Sequence, residues 1–362
     1  MTNLNTLFDK NQMNNGLVER FKFLKQEEPK LRRKDVADKL NVAEAALIDH
    51  QCGVQSVRLS REFKTIIEQL PSLGYIMSLT RNKAAVHERK GEYSNVKITG
   101  AMGLILTVDR KIDLRIILPT WAFGFAVAET TDGDEMFSLQ FFDGAGVAIQ
   151  KIYLQPESNR EAYAKLVMKF KDEDQQTALT FAETPSKKAL VEDSHVDTEK
   201  LIEDWQKMNN VHQFMGILRH HKITREQAFR LTDEFFAQPI PPDVLESVLI
   251  QAAETQLPIM CFVGNHGNIQ IHSGPIKNIN TVGPWLNVLD PEFNLHLLQD
   301  AITSAWLIRK PTTDGMITSL EFYDIDSETV VQFFGLRHEG SPENSQWRAL
   351  AESTLIEEEV IV

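Results

Sequence analysis

Cysteine is almost missing from this chain. Its 362 residues hold only Cys52 and Cys261, far apart and outside any C-x-x-C pattern. A disulfide framework and a thiolate zinc site are therefore both excluded as organising devices, and a reducing, cytoplasmic setting is expected. Long apolar runs are missing too. No stretch nears the roughly 18 residues that a membrane helix needs, and the opening "MTNLNTLFDKNQMNNGLVERF" has no continuous apolar run, so neither membrane insertion nor a signal peptide is expected. Basic charge is scarce as well. The net charge of −13, without a basic stripe, argues against DNA as a partner because phosphates would be repelled.

Familiar catalytic signatures are also absent. There is no Walker A sequence and no G-x-S-x-G elbow. "HERKG" at 87–91 begins like a zincin helix but has Gly91 where the second histidine belongs, and it lies among strand-like residues. "DGAGVAI" at 143–149 lacks the third glycine of a dinucleotide fingerprint and leads into a strand pattern, which predicts a hairpin turn.

What is present is an ordinary soluble composition, 42% apolar and 25% charged, at a length that suggests about two domains. The chain also repeats itself. "KIDLRIIL" (111–118) resembles "EFNLHLLQ" (292–299), and "SLQFFDGAGVAIQKIY" (138–153) resembles "SLEFYDIDSETVVQFF" (319–334), both at a spacing of 181 residues. "TTDG" occurs at 130–133 and again at 312–315, a spacing of 182 that one inserted residue explains. The chain is read as a tandem duplication.

Each half starts with apolar residues at three-and-four spacing, as in "LVERFKFLKQEEP" and "SREFKTIIEQLPSL", and then turns to short β-branched and aromatic runs such as "YIMSLTRN", "WAFGFAVAET" and "AIQKIYL". The expected class is α+β, a helices-plus-antiparallel-sheet domain used twice. The expected divisions are an N-terminal repeat over 1–182, a polar linker over 183–198 within "ETPSKKALVEDSHVDTEK", and a C-terminal repeat over 199–362.

One stretch carries chemistry. In a helix expected through 201–219, Leu201, Trp205, Met208, His212 and Met215 recur at helical spacing, which puts His212 on an apolar stripe. That position suits a core histidine with one ring nitrogen hydrogen-bonded. It equally suits an imidazole that ligates the metal of a large apolar ligand. In "KIDLRIIL", Arg115 falls on the strand face opposite Leu114 and Ile116, where pairing with Asp113 is one reading; its repeat mate is His296.

Longer motifs carry a resemblance. "DWQKMNNVHQFMGILRHHKITREQAF", "FVGNHGNIQI", "PWLNVLDPEFNLHLL", "AWLIRKPTTDGMITSLEF" and "FFGLRHEG", with "RNKAAVHE" and "DLRIIL" earlier, resemble the bacterial cytoplasmic haem-utilisation proteins of the HemS/ChuS/PhuS type over roughly residues 18–350. The resemblance implies one haem b, as substrate or cargo, held between the halves. It implies His212 as the axial iron ligand, Arg115 on the distal side as a catalytic candidate, and Arg225, Lys310, Gln332, Phe334 and Arg337 around the propionates and distal pocket. His87 of "AVHE" is a secondary ligand candidate, whereas His220 and His221 are expected to face solvent. Phe334 departs from the family, which commonly has tyrosine there. The implied role is iron acquisition: degradation of imported haem by an oxygenase-like or reductant-dependent ring cleavage, or else haem transport to a separate oxygenase. A haem importer and a haem oxygenase or reductase are the implied partners.

Overall fold

The computed structural model describes residues 3–8, 16–131, 133–183, 191–338 and 340–355. The chain divides into two compact units, and they are not plain sequence halves. Unit 1 comprises residues 1–81, 88–185 and 265–270, and unit 2 comprises 82–87, 186–264 and 271–362. Part of the expected linker, 184–190, lies outside the described residues.

Unit 1 is built on five antiparallel strands, in the order Ser56–Leu59, Phe123–Thr131, Asp134–Phe142, Ala148–Leu154 and Tyr75–Arg81. Its central strands are buried on both faces because helices cover both. Ala126, Leu139 and Phe141 face a core that includes Ile66, Ile67, Tyr163 and Leu166, from the helices Phe63–Gln69 and Arg160–Phe170. Phe125, Val127 and Phe142 face the opposite way, toward Ala45 and Ile48 of the helix Glu44–Asp49. Alternate residues of one strand thus serve two cores, which is the period-two geometry of a pleated strand.

Unit 2 repeats this plan. Its five strands run Ala237–Ile240, Ser304–Thr312, Gly315–Tyr323, Thr329–Gly335 and Ile259–Gly264, again all antiparallel. Ala305 and Leu307 pack toward the helices Val244–Glu254 and Ser345–Glu352, while Trp306 and Ile308 pack toward Trp205, Phe214 and Phe229. Gly315–Tyr323 lies 181 residues after Asp134–Phe142, the spacing found in the sequence. "DGAGVAI" is a hairpin turn as expected: the Asp143 carboxylate accepts the backbone N–H groups of Ala145 and Val147.

The short segments that each unit takes from the other sequence half are anchored alike. In unit 1, Asn265 donates to the carbonyls of Arg81 and Ile149, and its own amide oxygen accepts from Gly267 and Asn268. In unit 2, Asn82 donates to the carbonyls of Gly264 and Val330 and accepts from Ala84 and Ala85. The same side chain makes the same four bonds in both places, as a duplicated turn requires.

Two expectations need correction. The helix expected through 201–219 is broken: Thr198–Gln206 ends, Val211–Gln213 forms one 3₁₀ turn, and Phe214–His221 resumes. The cause is local, because the Asn210 and Gln213 side chains cap the second segment and compete with helix continuation. The helix Arg160–Phe170 follows the last strand of the first half, where helices were expected only ahead of the strands.

Unit 1 buries a charged cluster at the N-terminal residue of the helix Glu44–Asp49. Glu44 accepts from the Lys151 ammonium at 2.6 Å and from the Arg81 guanidinium. Burial pushes its carboxyl up, but Lys151 and Arg81 more than offset this and hold it at about 2, against 4.5 when unpaired. A depressed carboxyl stabilises the fold fully above its unfolded value and loses that contribution as pH falls toward its folded value. Between pH 4.5 and about 2 the chain should therefore lose up to about 3 kcal/mol from this group. Urea unfolding at pH 5 and pH 3 measures it. Glu44→Gln should show a shallower acid loss than wild type, and equal losses in the two proteins would refute the assignment.

Candidate functional site

The "NNVHQF" stretch shapes the candidate ligand. The Asn210 side chain accepts the His212 backbone N–H at 2.9 Å, and Gln213 Oε1 accepts the backbone N–H groups of Asn209 and Asn210. This reciprocal cap satisfies donors that a helix start leaves open. It also fixes the backbone of His212 while leaving its ring free. The His212 side chain is exposed, and its imidazole has no hydrogen-bond partner among the described residues. The core-histidine reading is therefore corrected. Leu201, Trp205 and Met208 are buried, but the broken helix turns His212 and Met215 outward. An exposed imidazole, three residues before a half-exposed methionine, is an available ligand.

Next to this turn, Phe214 is buried against Trp205 and Phe229. Two cations lie over its ring, Arg225 at 5.2 Å and Lys310 at 4.9 Å from the centroid. Both cations converge on Glu321, which is wholly buried in the strand Gly315–Tyr323. Arg225 makes a forked contact with it, Nη2 donating to Oε1 at 3.0 Å and to Oε2 at 2.8 Å. Lys310 Nζ donates at 2.7 Å, Gln332 at 2.7 Å, the Tyr323 hydroxyl at 2.6 Å and the Ser319 hydroxyl at 3.0 Å. Five side chains thus satisfy one carboxylate. Burial pushes the Glu321 carboxyl up, but Arg225 and Lys310 hold it far below the usual carboxylate range. Burial draws the Lys310 ammonium down to about 8 even with Glu321 beside it.

The structure sorts the residues read from the sequence. Arg225, Lys310 and Gln332 come together in one cluster, but Lys310 is buried and its ammonium is directed at Glu321. Arg225 is the more exposed of the two cations, and among the described residues its Nη1 meets only the Met215 sulfur, at 3.7 Å. Arg337 lies 3.7 Å from Asp314, and the Phe334 ring sits 4.9 Å from that of Phe262. Arg115, on unit 1, pairs with buried Asp113. Burial raises the Asp113 carboxyl, and Arg115 partly opposes this. His87 is completely buried, its ring centroid 5.0 Å from that of Phe293. His220 is exposed as expected, but His221 is not. The His221 side chain is only 7% exposed and bonds Asp204 at 3.1 Å.

Glu321 was missed. A glutamate between Leu320 and Phe322, in a strand apolar on both faces, implies a buried charge that needs partners, and that was the available signal. Replacing it with glutamine leaves buried Lys310 and half-buried Arg225 with no counter-charge. Glu321→Gln should cost about 3–5 kcal/mol in urea unfolding at pH 7. A loss under about 1 kcal/mol would show that the hub is not holding the cluster.

Comparison with known proteins places the chain. Residues 41–170 and 222–354 each match the haemin-degrading HemS.ChuX domain. The hemin transport protein HmuS of Yersinia pestis is 36% identical over 338 residues, covering 93% of this chain and 96% of that protein. The crystal structure of holo-PhuS, a heme-binding protein from Pseudomonas aeruginosa, superposes with a TM-score of 0.91 at 41% identity, over 94% of this chain and 98% of that one. ChuS, described as an Escherichia coli heme oxygenase, gives 0.85 at 33% identity, over 94% and 100%. With the domain matched twice and relatives covered nearly end to end, the chain belongs to the haemin-degrading HemS.ChuX domain family, and its internal duplication is two copies of that domain.

Proposed function

We propose that this protein binds ferric haem b through His212 and opens the bound porphyrin to release its iron. The observation that carries the binding is the state of His212: an exposed imidazole without a hydrogen-bond partner among the described residues, on a turn that its own neighbours cap from both sides. A ring so placed can offer a nitrogen lone pair at little ordering cost, because the backbone beneath it is already fixed. Bound haem supplies the iron and the oxidisable ring.

The chain's own residues do the rest. The Arg225 guanidinium, oriented by Glu321 and with no carboxylate on Nη1 among the described residues, suits a propionate. Lys310 and Gln332 fix the glutamate that fixes Arg225, so they act on the ligand through position and charge. Arg337 is a second cation for the propionate edge, and Phe334 puts an apolar ring where the family commonly has a phenol. Arg115 is assigned the distal side on the resemblance, as a hydrogen-bond donor. His87, wholly buried, is kept as a secondary ligand whose use requires its surroundings to open.

A second reading has an observation of its own, because HmuS is named a transport protein and PhuS a heme-binding protein. In that reading the chain takes haem from an importer and passes it intact to a separate oxygenase. The reducing compartment implied by two buried free cysteines suits both. Among the described residues no helix is long and apolar enough to cross a membrane.

His212→Ala should displace the Soret band and weaken haem binding about ten-fold or more in a haemin titration. An unchanged band and affinity would remove His212 from the iron. For turnover, the haem complex is given a reductant in air, with catalase present. Loss of the Soret band with release of chelatable iron establishes degradation. A band that persists until an acceptor oxygenase is added establishes transport.

A further inference from the structure

The C-terminal end of the Phe214–His221 helix meets Asp204 of the helix Thr198–Gln206, and side chains able to ligate a metal gather there. Asp204, His220 and His221 each present one ligand atom, and the three atoms lie within 4.8 Å of one another. Among the described residues this is the one such group found. We propose that Asp204, His220 and His221 form a binding site for a first-row divalent transition ion of the Zn²⁺ class, separate from His212.

The geometry is close to what such an ion needs. Tetrahedral Zn²⁺, with ligands about 2.0–2.1 Å away, holds neighbouring ligand atoms about 3.3 Å apart. His221 Nε2 and Asp204 Oδ2 stand 3.1 Å apart. His220 completes the set by a side-chain rotation from its exposed position, its ring perpendicular to that of His221 with centroids 5.0 Å apart. Two adjacent helix residues seldom serve one site, since they point about 100° apart. Here the helix stops at His221, and Lys222 takes a left-handed conformation at φ 55° that ends it.

The donor set selects the ion. Two imidazoles and one carboxylate suit zinc and its neighbours better than calcium or magnesium, which prefer all-oxygen shells. The site is anchored on one side: the His221 side chain is largely covered, and Asp204 Oδ1 is held by Lys200 at 3.1 Å, which leaves Oδ2 directed at His221. Lys200 carries like charge to the ion and competes for the carboxylate, so affinity is set below that of a closed structural zinc site. The ordinary alternative is a bare His221–Asp204 hydrogen bond with His220 idle.

Calorimetric titration of the untagged, haem-free full chain with Zn²⁺, after chelator treatment, decides between them. The wild type should take up one equivalent with a dissociation constant on the order of micromolar. His220→Ala, at an exposed position where folding is not at stake, and Asp204→Asn should each weaken uptake about ten-fold or more. His212→Ala should leave it unchanged. Absence of stoichiometric uptake overturns the site. So does uptake that survives both His220→Ala and Asp204→Asn, or uptake that His212→Ala abolishes.

Discussion

The second unit depends on one buried carboxylate. Glu321 has no access to water, so its charge is tolerable only because Arg225, Lys310, Gln332, Tyr323 and Ser319 replace hydration with five donors. Each of those residues is thereby fixed in turn. Arg225 could not hold a forked orientation over Phe214 without it, and Lys310 could not stay charged so deep. Such a network is a weak source of net stability, because desolvation offsets most of the attraction. Its contribution is positional, in that it gives a cation beside the His212 turn one geometry rather than many.

The duplication shows that this network is a choice and not a requirement of the fold. At the spacing of 181 residues, Arg225 corresponds to Glu44, Lys310 to Glu129, Glu321 to Gln140 and Gln332 to Lys151. In unit 1 the hub is Glu44 on the helix, with Lys151 and Arg81 as its cations, and Arg33 pairs with Glu129. The two units thus put opposite charges at the same helix start and solve the same burial problem in reverse. With glutamate at the helix start, unit 1 has no guanidinium at the position where unit 2 carries Arg225. In the site proposed for haem, this difference assigns the propionate edge to unit 2.

Much of this was legible in the sequence, for reasons that differ by level. The strands were readable because β-branched and aromatic runs such as "FGFAVAET" admit little else, and the duplication because strand spacing survives divergence. Arg225, Lys310 and Gln332 came from long motifs. What periodicity misread was the stripe through His212. Helical spacing continued across Asn209 and Asn210, but asparagine side chains compete with the backbone for hydrogen bonds, and there they won. The loss is instructive: the pattern put His212 on the buried face, and the cap turned it to solvent. Glu321 escaped because a charge inside an apolar strand shows its role only when its partners, far off in sequence, are brought to it.

That capped break bears directly on how the ligand is offered. Had the helix run unbroken through 201–219, His212 would have continued the buried stripe of Leu201, Trp205 and Met208, with its ring committed to the core. Had the break been a loose loop, ordering the imidazole on binding would have cost about 1–2 kcal/mol for each backbone residue fixed. The reciprocal bonds of Asn210 and Gln213 avoid both outcomes with side chains that the turn itself supplies. Anchoring is completed from the strand side, where the Thr313 backbone N–H donates to the Asn209 carbonyl at 3.0 Å. The turn is therefore tied to the sheet that carries Lys310 and Glu321, so the imidazole and the cation cluster share one support. That is the arrangement the proposed site needs, since one flat ligand would have to meet the imidazole and the guanidinium at the same time.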